Sequence, residues 1–189
     1  MTMRAVTRAA EGFDRRAFTV NEILRMQDAG IISEDENFEL IEGEIVPMQA
    51  KSHIHERLKS AFIFAIVPAA PKSLWFGVET TIYLSDNTFV EPDLVVYPNG
   101  MKLESVKGLD IILAIEVAVT GLAYDREFKA GLYAKHKVQE YWVVDAAERR
   151  TFQFAGPRGK GWRRREERGP DDVLSHPALP GFSIRLCDY

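Results

Sequence analysis

Two apolar runs in the middle of the chain are each interrupted by carboxylates. The first is Phe89-Val90-Glu91-Pro92-Asp93-Leu94-Val95-Val96, and the second is residues 111–119, where Glu116 is the one polar position. Apolar, β-rich runs bounded by turn residues predict buried strands. Upstream, Thr19 and Glu22 form a capping-box pair, Phe18 and Ile23 a hydrophobic staple, and Gly30 a closing residue, which together predict a first helix. Residues 38–41 and 44–48 flank Glu42-Gly43 and predict a β-hairpin. Ser52 opens a second helix, in which Ile54, Leu58, Ala61, Phe62, Ala65 and Ile66 recur at spacings of three and four until Pro68 stops it. Residues 74–84 and 89–96 are predicted as two strands joined at 85–88.

After the run at 111–119, a helix is predicted over 123–136 with Phe128, Leu132 and Tyr133 on its apolar side. A strand follows at 140–145, then a hairpin around 156–161 and a last short strand at 182–186. The strand–helix–strand order from 111 to 145 predicts a parallel pair with a right-handed crossover. The expected class is α/β, an α+β mixed sheet flanked by helices. The expected organisation is one domain over 18–189 behind a flexible arm, 1–17.

Charge and composition narrow the partners. The net charge of −4 argues mildly against a protein that coats nucleic acid by charge alone. It is unevenly spread: Arg149, Arg150, Arg158, Lys160, Arg163, Arg164, Arg165 and Arg168 fall within twenty residues that hold only Glu166 and Glu167 as acids. That stretch reads either as a solvated hairpin with a basic face or as a contact for phosphate backbone. The single cysteine, Cys187, and the lack of a signal-like N-terminal segment point to the cytoplasm. The longest apolar stretch, 61–70, is too short and proline-broken to span a bilayer.

Chemistry enters through the carboxylates. An ionised Asp or Glu in a buried strand is costly, and without a partner it would sooner take up a proton. Asp93 and Glu116 on neighbouring strands would also repel each other. One divalent cation between them relieves both penalties, since Mg²⁺ takes one or two carboxylates and keeps sites for water and phosphate. The plain alternative is a structural ion pair between Asp93 and Lys129. Asp125 and Lys129 are spaced i,i+4 on the predicted helix. His55 and Lys59, one turn apart on the second helix, read as a boundary pair or as side chains over a cleft. Glu79 reads as a strand-surface residue, or as a third acid if it faces the same pocket.

The ordered set Glu91-Pro92-Asp93, Glu116-Val117-Ala118, Tyr124-Asp125 with Lys129, Tyr133-Ala134 and residues 140–145 resembles the Uma-two family of restriction endonuclease-like proteins. That family belongs to the PD-(D/E)XK nuclease superfamily. Residues 38–45, with Met48 and His55-Glu56, resemble its N-terminal signature, so the likeness runs from about Thr19 to Leu186. It implies a restriction-endonuclease-like core and a metal-dependent endonuclease that hydrolyses DNA phosphodiester bonds with Mg²⁺ or Mn²⁺. Carried over residue by residue, Asp93 and Glu116 become metal ligands, with the Val117 backbone carbonyl as a third. Lys129 becomes the catalytic cation; Glu79, His55 and Asp125 are accessory candidates. Two departures stand out. The superfamily's usual lysine position, two after the second acid, is Ala118 here, so the lysine is expected from the following helix. Thr120-Gly121 replaces serines common in relatives.

A divalent ion would acidify an attacking water and polarise a phosphoryl oxygen, while Lys129 would offset charge developing in the transition state. The competing reading is a catalytically silent relative that binds nucleic acid or protein, kept in view by Ala118 and the acidic net charge. A third is cleavage of another phosphate ester, such as a small nucleotide. Enzymes that cut both strands are often twofold dimers, so a homodimer is expected only as a prior.

Overall fold

The computed structural model describes residues 16–33, 35–48 and 50–189. Most of the expected arm therefore lies outside the described residues; Arg16, at its end, pairs with Glu22. In chain order the elements are α1 (Val20–Asp28), β1 (Phe38–Ile41), β2 (Glu44–Pro47), α2 (His53–Ile66), β3 (Leu74–Val78), β4 (Ile82–Ser85), β5 (Thr88–Val90), β6 (Leu94–Pro98) and β7 (Leu113–Ala118). A π-helical turn, Tyr124–Lys129, leads into α3 (Ala130–Lys135), followed by β8 (Glu140–Asp145), β9 (Arg150–Arg158) and β10 (Gly161–Arg168).

The local signals for the first elements hold. Thr19 and Glu22 exchange both capping-box bonds, and Gly30 beyond the helix end takes φ +68°. Phe18 packs against the cluster that contains Ile23. Glu42 and Gly43 both adopt positive φ, 50° and 86°, as a two-residue hairpin turn requires, and Ile41 pairs with Glu44 across it.

The strands form two sheets. The smaller has the order β2-β1-β5-β4 and the larger β10-β9-β8-β7-β6-β3. All pairings are antiparallel except β7 with β8, the parallel pair expected across the helix. Both long runs at 74–84 and 89–96 are divided. β3 and β6 pair in the large sheet, while β4 and β5 pair in the small one. Glu79 takes φ +48° at the first division. Glu91-Pro92-Asp93 carries the chain across at the second, where proline, lacking an N–H, cannot continue a sheet ladder. The expected last strand shrinks to one bridge, Leu174 with Ile184.

Alternation along each strand assigns the layers. In β7, Leu113, Ile115 and Val117 pack with α2 and the C-terminal residues Leu174, Phe182 and Ile184. Ala114 and Ala118 face the other way, into a core shared with Ile41, Ile82 and Val90 of the small sheet and Tyr133 of α3. Glu116 has the parity of Ala114 and Ala118, so it points into the space between the sheets. In β1, Phe38 and Leu40 pack against α1, and Ile41 joins the inter-sheet core. Glu39, with the parity of Ile41, faces the large sheet. Burying each fully enclosed Ile, Leu or Phe of these clusters stabilises the fold by about 1.5–3 kcal/mol.

The predicted helix at 123–136 is correct in place and wrong in pitch. Its first half is π-helical: the Ala130 N–H reaches back to the Asp125 carbonyl, five residues earlier. The wider turn rotates the two halves against each other. Leu132 and Tyr133 are buried as expected, but Phe128 is half exposed and stacks on Tyr124 with ring centroids 5.1 Å apart. The basic stretch forms the β9–β10 hairpin, and several of its arginines are paired, Arg150 with Glu167 at 2.8 Å and Arg164 with Glu140 at 3.7 Å.

Candidate active site

Where the two sheets part, a cleft of about 560 Å³ opens, lined among others by Glu39, Lys51, His55, Glu91, Asp93, Glu116, Val117, Asp125 and Lys129. Its acids arrive from different elements: Glu39 from β1, Glu91 and Asp93 from the crossing between sheets, Glu116 from β7. Glu39, Asp93, Glu116 and Lys129 are all buried.

Asp93 is held on three sides. Its Oδ2 accepts the Val117 backbone N–H at 2.8 Å, and His55 Nε2 lies 3.0 Å from the carboxylate. Lys51 Nζ stands 3.9 Å from Oδ1. In a ladder residue the N–H and C=O leave the strand on the same edge, so the Val117 carbonyl leaves β7 on the side of Asp93. Burial pulls the His55 imidazolium down, but the hydrogen bonds and charges of Asp93 and Glu56 outweigh it and raise His55 above its usual value.

Lys129 joins the two sheets. Its Nζ donates to Glu116 Oε1 at 2.9 Å and to Glu39 Oε1 at 3.0 Å. Glu39 Oε1 also accepts the Glu91 N–H at 2.9 Å, and Tyr133 Oη donates to Glu116 Oε1 at 3.1 Å. One lysine cannot offset this many acids. Burial, with the charges of Asp93 and Glu39 acting against Lys129, pushes Glu116 up to about 8. Burial likewise raises Asp125 to about 6. Lys129 is the converse: burial favours the neutral amine, yet the surrounding carboxylates, Glu116 foremost, hold it protonated well above the usual lysine value. Glu91 is raised as well, chiefly by burial.

Asp93, Glu116, Val117, Lys129, His55 and Asp125 are thus brought to one cleft. Three expectations change. Lys129 pairs with Glu39 and Glu116 rather than with Asp125, because the π turn takes it off the i,i+4 position; Asp125 acts on it through charge. Glu79 is not in the cleft lining. Its side chain pairs with Lys51 at 2.7 Å and with Lys59, and its backbone N–H donates to the Asp93 carbonyl. His55 and Lys59 are buried rather than at a surface margin.

Sequence reasoning missed Glu39, Lys51 and Tyr133. Glu39 carried the signal used for Glu116, a lone carboxylate in an apolar strand. Lys51 lies in the loop before α2, and its partners are distant in sequence.

The donor set suits a hard divalent cation. Asp93 and Glu116 offer carboxylate oxygens from adjoining elements, and Glu116 is raised chiefly by its burial between the sheets. Among the described residues, no group of three or more His, Cys, Asp or Glu is already drawn together as a metal shell.

The fold is that of a known nuclease-like structure. The crystal structure titled as a putative nuclease belonging to DUF820 from Anabaena variabilis aligns with a TM-score of 0.69 at 19% identity, covering 90% of this chain and 96% of that one. No curated protein matches the chain. The family model Uma2, described as "Putative restriction endonuclease", matches residues 20–187, and the chain belongs to that family.

Proposed function

We propose that this chain is a metal-dependent endonuclease that hydrolyses DNA phosphodiester bonds, with Mg²⁺ or Mn²⁺ held by Asp93 and Glu116. The observation that carries it is the convergence of these two carboxylates and a buried lysine in one cleft. The ion would supply an acidified water and polarise a phosphoryl oxygen; the Val117 carbonyl is its third protein ligand in this reading.

The chain's own residues do the rest. Val117 N–H and His55 fix the orientation of the Asp93 carboxylate. Lys129 is held protonated, so it serves as a fixed positive charge toward the scissile phosphate and not as a base, which would need the neutral amine. Lys51 lines the same cleft and adds a second cation within reach of a phosphate. A cytoplasmic location belongs to the same proposal; the exposed free thiol of Cys187 suits a reducing compartment. No described helix is long and apolar enough to cross a membrane.

The test is calorimetric titration of Mn²⁺ into the wild type and into Asp93→Asn and Glu116→Gln variants, followed by cleavage of supercoiled and single-stranded DNA. Binding and cleavage in the wild type, lost in both variants, is the expected result. A folded wild type that retains DNA but neither binds Mn²⁺ nor cleaves in its presence would sink the hydrolase reading in favour of a silent binding relative.

A further inference from the structure

We infer that β3 is a dimerisation edge, at which a second copy of this chain adds its own β3 antiparallel across a twofold axis at Phe76. This goes beyond the nuclease reading and does not depend on it.

The four sheet edges are treated very differently. β10, one edge of the large sheet, carries Arg163, Arg164, Arg165, Glu166, Glu167 and Arg168. In the small sheet, β2 begins with Glu44 and ends with Pro47, and the Tyr83 carbonyl of β4 accepts Lys107 Nζ at 3.2 Å. Charges, proline and side-chain cover are the ordinary ways a lone edge is kept from pairing. β3, the other edge of the large sheet, is Leu74-Trp75-Phe76-Gly77-Val78, with no charge and no proline. Trp75 is 54% exposed there.

The main chain of β3 is also matched to itself. Glu79 N–H donates to the Asp93 carbonyl, and Asn99 N–H to the Ser73 carbonyl. With the register Leu74 to Pro98, this makes the odd-numbered residues the ones that bond β6. Leu74, Phe76 and Val78 therefore point their N–H and C=O outward. Two of those six groups are used locally: Leu74 N–H donates to the Pro71 carbonyl at 2.9 Å, and the Val78 carbonyl accepts Thr80 Oγ1 at 3.1 Å. The remaining four, the Leu74 carbonyl, both Phe76 groups and the Val78 N–H, have no hydrogen-bond partner among the described residues.

A twofold at Phe76 uses those four and no others. Phe76 exchanges both bonds with Phe76 of the second copy, and each Val78 N–H meets the opposite Leu74 carbonyl. The two groups already used, the Leu74 N–H and the Val78 carbonyl, are the outermost pair of this register, so their local bonds end the ladder at four intermolecular bonds without interrupting it. Trp75 falls opposite Gly77 of the second copy, a large side chain against none. An uncharged strand also meets its own copy without opposing like charges, which favours the isologous pairing. Glu79, six residues from its counterpart, would lie about 20 Å from it along the joined strands at ~3.4 Å per residue, with both clefts on the same face of the continuous sheet.

The test uses the full chain. Sedimentation equilibrium should give twice the chain mass, and hydrogen exchange should show the Phe76 and Val78 amides protected more strongly as concentration rises. Trp75→Lys and Val78→Lys should each give a monomer at concentrations where the wild type is dimeric, with an unchanged circular dichroism spectrum. A wild type that stays monomeric at high micromolar concentration overturns the inference. So does a dimer in which the Phe76 and Val78 amides exchange freely, since its interface lies elsewhere. Protection of these amides that is independent of concentration, in a monomer, also overturns it and assigns the edge to a segment of the same chain. The wild-type exchange data decide even if a lysine variant fails to fold.

Discussion

The Val117 backbone N–H donates to Asp93 Oδ2 at 2.8 Å, which ties the crossing between the sheets to the residue that follows Glu116. The two acids are therefore positioned by one hydrogen bond as well as by strand pairing. Asp93→Asn can keep that bond through its amide oxygen, whereas Asp93→Ala leaves a buried N–H unsatisfied. The alanine variant is expected to be about 1–3 kcal/mol less stable than the asparagine variant in urea unfolding. Equal stabilities would show that the bond does not order the crossing.

Lys129 is buried between Glu116 and Glu39, so Lys129→Met should cost stability and not only charge in the cleft. Removing one partner of a buried pair typically costs about 3–5 kcal/mol, because the other is left uncompensated. Glu116→Gln in the same chain should recover part of the loss, and a double-mutant cycle over the four proteins measures how much. Strict additivity would contradict a direct Lys129–Glu116 interaction.

Gly108 has no room for a side chain: a Cβ there would overlap the His136 carbonyl oxygen. Gly108→Ala must displace the segment between α3 and β8, and a loss of about 1–3 kcal/mol is expected by thermal or urea unfolding. A variant as stable as the wild type would mean that this contact yields easily.

His136 supplies a pH dependence. Burial, then the charge of Lys135, holds its imidazole below the usual value of 6.5, and its Nε2 is buried with no hydrogen-bond partner among the described residues. The unfolded chain thus binds the proton more tightly than the folded one. Stability contributed by His136 is complete above pH 6.5 and falls as pH drops from there through the lower folded-state value. Unfolding free energies of wild type and His136→Gln, compared at pH 8, 6 and 5, should show the wild type losing ground to the variant on acidification. A constant difference would refute the assignment.

Short-range signals in the sequence were sufficient where the physics is short-range. The capping box at Thr19–Glu22, the turn at Glu42-Gly43 and the buried strand around Glu116 all follow from neighbouring residues. The division of 89–96 did not emerge, although Pro92 inside the run was a warning. Apolar periodicity is the same whether a strand stays in one sheet or passes to another, so the pattern cannot report the change of partner. The turn at Glu79 lacked any glycine or asparagine to announce it. The π turn was equally hidden, since it changes the helix pitch and not its composition. Asp93, Glu116 and Lys129 were legible through chemistry and resemblance; Glu39 had the same signature as Glu116 and was passed over because its strand lies far away in sequence.

The Lys129 ammonium touches one acid from each sheet, Glu39 of β1 and Glu116 of β7. The site is consequently a joint as much as a pocket. A cation or phosphate that draws on Glu116 alters the one contact by which Lys129 fastens the small sheet to the large one. Through that shared ammonium a change at Glu116 is felt at Glu39, across the gap between the sheets, while the apolar core beneath holds the two sheets together.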